Sequence, residues 1–200
     1  MKKLITTVLL AAFVLSACGN NDVPSNTIVN AELTEREKTI LSATTDQTFI
    51  FDFTTGSEFN ELDVWIEKYE FGKLVDEPIG HIRTEIEENG SIFFTTNQSS
   101  VESNEAFFRL GISSNGSTGS SALSDIISNK DSEGMQTVWD TLNEEIDITN
   151  DELVLGSICY SWDEAGMSSL SSEFYHDVEG RMHEIEKYEV VYLLRSKFMN

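Results

Sequence analysis

From residue 48 onward, apolar and polar positions alternate in short runs, the period of half-buried strands rather than of helices. Phe49, Phe51 and Phe53 fall on one face of such a run, with Ile50 and Asp52 on the other. Leu62, Val64 and Ile66 repeat the pattern against Trp65, Tyr69 and Phe71, with Glu67 between them. Two apolar faces predict a central strand there, or an edge strand covered by another element. Gly72-Lys73 then reads as a turn. Residues 79–96 read as an antiparallel hairpin: Ile82 and Ile86 alternate with charged neighbours, Asn89-Gly90 supplies the turn, and Ile92, Phe93 and Phe94 return. Further strands are expected over 106–112, 136–142 and 153–160, and over 188–194, a β-branched and aromatic run.

Helical signals are fewer. Thr34 with Glu37 three residues on is a capping box, which predicts a short helix over about Glu35 to Ser42 with Ile40 and Leu41 packed inward. Phe174, Val178, Met182 and Ile185 share a helical face near the end of the chain, although Gly180 weakens that helix by about 1 kcal/mol. Residues 113–121, rich in Gly, Ser and Asn, read as a surface loop, and Leu123 to Ile127 as one helical turn. Residues 18–32 are polar and aperiodic, the composition of a flexible tether. The expectation is one mainly β domain over 33–200: an antiparallel sandwich or barrel-like sheet with one or two flanking helices, with an α+β arrangement as the alternative.

The first eighteen residues carry a different signal. Lys2 and Lys3 precede an almost unbroken apolar run, Leu4 to Leu15, and the small residues Ser16 and Ala17 lead to Cys18. The run is about a dozen residues, where a membrane-crossing helix needs roughly 20. Charge, short apolar run and small residues in that order make a secretory signal. Leu15-Ser16-Ala17-Cys18 resembles the lipobox of bacterial lipoproteins. The resemblance implies that residues 1–17 are removed as a signal peptide and that the Cys18 thiol is acylated. It further implies a body moored by lipid on the extracytoplasmic face of the cell membrane. Beyond residue 18, no stretch resembles a nameable family.

Charge narrows the partners. Thirty-five acidic residues against 13 Lys and Arg give a formal charge of −22 over 200 residues. No basic footprint exists for phosphate binding, which excludes a nucleic-acid role. The expected partners are the membrane, through lipid on Cys18, and a protein at the cell envelope. A cation or solute held by acidic loops, such as 143–152, is the alternative, as is a basic partner neutralised in the manner of an immunity or inhibitor protein.

Candidate chemistry is thin. Asn129, Asp131, Glu133 and Asp140 stand at positions 1, 3, 5 and 12 of a calcium-loop spacing with Gly134 at position 6, but Asn opens it and the short Asp140 closes it. A solvated acidic turn is therefore the expected reading. His176, Glu179 and His183 are read as an exposed helix face rather than a metal site, and His81 as a surface residue. The 115–121 stretch lacks the Lys of a phosphate cradle. No nucleophile motif occurs, and carboxylates such as Glu85, Glu87, Asp140 and Glu145 are too abundant to single out a pair. Cys159, in an apolar run, is read as a buried hydrophobe. Trp65, Tyr69, Phe71, Trp139 and Trp162 are read as core before binding surface. No catalytic residue and no cofactor is expected. The expected function is a non-enzymatic binding or interaction module anchored at the cell envelope.

Overall fold

Phe49, Phe51 and Phe53 are all buried and Asp52 between them is exposed, so period two governs the fold from its first long strand. The structure, a computed structural model, describes residues 26–98, 104–128, 133–163 and 166–200. In order its elements are β1 (Thr27–Asn30), α1 (Glu35–Thr44), β2 (Gln47–Thr54), β3 (Glu61–Glu70), β4 (Lys73–Glu85), β5 (Asn89–Gln98), β6 (Glu105–Ser114) and β7 (Ser117–Ile126). There follow β8 (Gln136–Thr141), β9 (Ile146–Asp147), β10 (Glu152–Ser161), α2 (Val178–Arg181) and β11 (Val190–Met199). Single 3-10 segments, Ser172–Tyr175 and Met182–Lys187, flank α2.

The strands form two antiparallel sheets. One runs β7-β6-β5-β2-β1-β9 and the other β4-β3-β11-β10-β8. They pack face to face as a β-sandwich, the mainly β architecture expected from the pattern. Phe49, Phe94 and Phe108 pack ring against ring, at centroid spacings of 5.4 and 5.8 Å. Phe108 then meets Tyr192 of the opposite sheet at 4.9 Å, and Tyr192 meets Tyr160 at 6.0 Å. One aromatic column therefore joins the sheets. On one flank β4 packs against β7, with Leu123 over Gly80 and Ile82 by Gly119, and a polar cluster from β3 lies in the same join. Buried Lys68 of β3 lies 2.8 Å from Asp125 of β7 and donates to the Ile126 carbonyl at 2.6 Å. The Tyr192 hydroxyl donates to the same Asp125 carboxylate at 2.6 Å.

Several local expectations are corrected. Residues 79–96 are not a hairpin: β4 pairs with β3, whereas β5 pairs with β2 and β6 in the other sheet. Gly90 serves close packing rather than a turn, since a Cβ there would stand 2.3 Å from the Phe53 ring and 2.4 Å from the Ser113 carbonyl. The 113–121 loop and the helical turn at 123–127 are instead the ends of β6 and the length of β7. Only Asn115 and Gly116 turn, both with positive φ (48° and 72°), which is the two-residue hairpin geometry. β1 occupies residues 27–30 of the expected tether, with Ile28 fully buried, because its two neighbours complete its ladder. α1 begins at Thr34 with the capping box formed, yet none of its residues is buried and Ile40 is half exposed. The C-terminal helix is broken into α2 and its flanking 3-10 segments, with Asp177 capping the Gly180 amide.

The sandwich has two distinct ends. Ladder partners Thr27–Thr54, Thr54–Asn89 and Gly90–Ser114 mark one end of the first sheet. Glu61–Glu85 and Glu61–Met199 mark the same end of the second. Backbone bonds from Thr55 to Glu88, Asn60 to Met199 and Ile86 to Asn60 tie these together. The chain enters the body here, at Asn26. The far end holds the Phe71-Gly72 turn, the start of β4 and the end of β7.

Candidate functional site

Each residue singled out by the sequence has a definite place. Cys18, residues 1–17 and the first part of the tether lie outside the described residues, as do Asn129 and Asp131 of the calcium spacing. Glu133 is exposed beside Gly134. Asp140 lies beyond it on β8, where it accepts from the Thr141 amide at 2.8 Å and from Asn143 at 3.3 Å. Residues 136–141 are an extended strand, so the chain does not curl back to bring Glu133 and Asp140 round one ion. His176 contacts Glu144 at 2.7 Å, while His183 and Glu179 are exposed on different short segments. His81 pairs with Asp63. Among the described residues no three His, Cys, Asp or Glu side chains are placed to hold a metal ion. Glu87 accepts from Asn115 at 2.5 Å and Glu85 is exposed. The aromatics disperse: Tyr69 is core, Trp65 and Trp162 are half-buried, and Phe71 and Trp139 are exposed.

The outer face of the five-stranded sheet carries the densest polar chemistry. Register places Arg83, Asp63, Lys197 and Glu152 side by side across β4, β3, β11 and β10. Charges alternate in that row, an arrangement that stabilises neighbouring strands because opposite charges face one another. Two rows farther in, past Trp65 and Arg195, Glu67 is buried and its carboxylate is held by three donors. It accepts from the Trp65 indole at 3.1 Å, the Tyr69 hydroxyl at 2.8 Å and Arg195 Nε at 2.5 Å. Burial, and then the hydrogen bond to Glu67, pushes the Tyr69 phenol up to about 12. Burial works against the Arg195 charge, but Glu67 and Tyr69 together outweigh it and hold the guanidinium above its ordinary value. A shallow cleft of about 450 Å³ opens over Trp65, His81 and Lys197. A second, of about 550 Å³, continues past the shared Glu152 and Lys197 to His176.

Residues 166–188 strap the remaining outer face. Leu170, Phe174, Ile185 and Tyr188 are buried beneath the strap, and the Tyr175 hydroxyl meets Ser157 at 2.9 Å. Glu184 fastens the strap to itself, accepting from the Ser171 amide (2.9 Å), the Ser171 hydroxyl (2.8 Å) and Arg181 (3.1 Å). Burial alone would raise the Glu184 carboxyl, but these three donors outweigh it and hold the group below its ordinary value of 4.5. An acid with a depressed folded value stabilises above its unfolded value and loses that contribution as pH falls through the folded one. The strap is thus expected to loosen below about pH 4.5, seen as faster amide exchange over 168–188 than in the sheets. Glu184→Gln should flatten that dependence.

Cys159 lies under the strap, and burial pushes its thiol up to about 12. A thiol so poorly ionised is a weak nucleophile. In a Cys18→Ser chain it is expected to resist maleimide in the native state and to react within minutes in 6 M guanidinium.

The last notable surface is apolar. Phe71, Leu74, Val75, Ile126 and Phe107 are exposed, by 61, 40, 48, 57 and 41 % respectively. All stand at the far end, in the β3–β4 turn or on β4, β6 and β7. No local pattern announced this cluster as a whole, because the 71–75 stretch, Phe107 and Ile126 are far apart along the chain and meet only through the fold.

A family model described as the YgaN domain matches residues 27–198. No curated protein and no solved structure matches the chain. The match supplies a family for the body where the residues alone suggested none, and it begins at β1 rather than at residue 33.

Proposed function

We propose that this chain, which belongs to the YgaN domain family, is a lipid-anchored binding module of the cell envelope. Its lipid would sit on Cys18 and its sandwich would be displayed on the extracytoplasmic side. The observation that carries this reading is the polarity of the body. The chain enters at one end, among Asn26, Glu58, Glu87 and Asn115, and five of the seven exposed large apolar side chains among the described residues stand at the other.

The titratable clusters support binding over catalysis because each is engaged in holding structure together. Glu67 and Arg195 fix the outer face, Lys68 and Asp125 join the sheets, and Glu184 fastens the strap. An acidic body repels anionic headgroups, so attachment would fall to the acyl chains.

Fractionation tests the proposal. The native chain is expected in the membrane fraction and open to protease added to intact cells, whereas Cys18→Ser is released from the membrane. Retention of Cys18→Ser in the membrane fraction, or protection of the native chain from protease, overturns it.

A further inference from the structure

We infer that the far end of the sandwich docks a second, different protein that presents an apolar pocket bordered by basic side chains. The inference rests on the anchored reading for its orientation. Phe71, Leu74 and Val75 form the lip of the β3–β4 hairpin, and Ile126 lies across the flank from them, its carbonyl held by Lys68. Register sets Lys68 opposite Asp76 and Tyr69 opposite Leu74, which leaves Val75 bulged out of the ladder between them. On the other sheet Glu105 faces Ile126 and Phe107 faces Ser124, so Phe107 and Ile126 are diagonal neighbours. The 71–75 lip and the Phe107–Ile126 pair thus stand at the same end of the two sheets, linked by the Lys68–Ile126 bond, and together make a ridge. Single exposed apolar residues are ordinary on protein surfaces, but a contiguous cluster marks an interaction surface.

The backbone adds an independent sign. Phe71 has φ of 50°, a left-handed conformation that a bulky side chain adopts only at a cost, and Asn or Gly suits this turn position far better. Gly72 follows at 74°. The turn thus holds an aromatic ring outward against its own conformational preference. Residues kept in such conformations concentrate at binding sites.

What occupies the ridge follows from position and charge. Strands of ten residues put the far end about 30 Å from the point where the chain enters. Eight residues separate Cys18 from Thr27, so a body anchored there would face the membrane with its entry end and present this end away from it. A second copy is disfavoured because two bodies of charge −22 repel. Glu70, paired with Lys68, and Glu105 and Glu186 border the ridge, against Lys73 and Arg109, on a chain whose overall formal charge is −22. A basic-rimmed pocket complements that charge and speeds encounter.

The test uses the full chain in its own cells with a photo-crosslinking amino acid at Leu74 and, as a control at the entry end, at Asn115. The expected result is one discrete protein adduct from position 74 and none from 115. Digestion of that adduct should yield an apolar peptide flanked by Lys or Arg. Ile126→Asp, on the exposed outer face, should lower the yield about tenfold or more with its melting temperature unchanged. Phe71→Asn should raise Tm by about 2 °C by relieving the turn, while also reducing the adduct. No adduct, equal adducts at both positions, a crosslinked pair of this chain or a lipid adduct would each overturn the inference. Fractionation of Cys18→Ser reports on the anchor separately, so the two readings fail in different experiments.

Discussion

Glu67→Ala is expected to destabilise the protein by about 3–5 kcal/mol, the range found when one member of a buried ion pair is removed. Arg195 would keep its charge with little solvent to replace the lost carboxylate, its side chain being only 14 % exposed. The Trp65 indole and the Tyr69 hydroxyl would lose their acceptor in the same stroke. Glu67→Gln preserves the shape and one acceptor, so a smaller loss is expected. Replacing both partners, as in Glu67→Leu with Arg195→Met, should recover only the part of the deficit that comes from the uncompensated Arg195 charge, because the Trp65 indole and the Tyr69 hydroxyl still lack an acceptor. Urea unfolding of the four proteins decides the matter. A deficit under 1 kcal/mol for Glu67→Ala would mean that water reaches the site and that the network contributes little.

Phe108→Ala is expected to cost a similar amount, about 3–5 kcal/mol, by a different route. Phe108 is 2 % exposed and sits midway along the aromatic column, 5.8 Å from Phe94 and 4.9 Å from Tyr192. Truncation removes the contact that carries the column from one sheet to the other, and interior rings around it are too tightly packed to collapse fully. Phe108→Leu should cost markedly less, since it keeps most of the volume. Tyr192→Phe separates packing from polarity: the ring remains, but the bond to Asp125 goes, and about 1 kcal/mol is expected. Equal losses for Phe108→Ala and Phe108→Leu would show that ring geometry rather than filled volume governs the column.

Period-two burial was legible in the residues wherever one face is apolar and the other charged. Phe49-Phe51-Phe53 and Leu62-Val64-Ile66 are strands facing the core for the reason their spacing gave. The Thr34–Glu37 cap likewise set the start of α1. What escaped was whatever depends on partners far along the chain. β7 is mostly Ser, Gly and Thr, residues with little strand preference of their own, and it is a strand because β6 supplies a complete ladder. Asn89-Gly90 has the composition of a hairpin turn, but Phe53 packs against Gly90 and commits the segment to the other sheet. Ile40 suggested an inward face for α1, yet the helix lies off the sheets, where only its polar cap is used. Of the binding surface, individual members such as Phe71 were visible, but the ridge that joins them required the register.

β1 is four residues long and bonded on both sides, to β2 and to β9, and it opens the described body. Any pull transmitted from an anchored Cys18 to a partner held at the opposite end would run lengthwise down this strand. Its rungs lie across that direction, so they would be strained together in shear instead of peeling away singly. A short strand placed this way would act as a mechanical clamp, letting the entry end withstand tension that a strand bonded on one side only would yield to sooner.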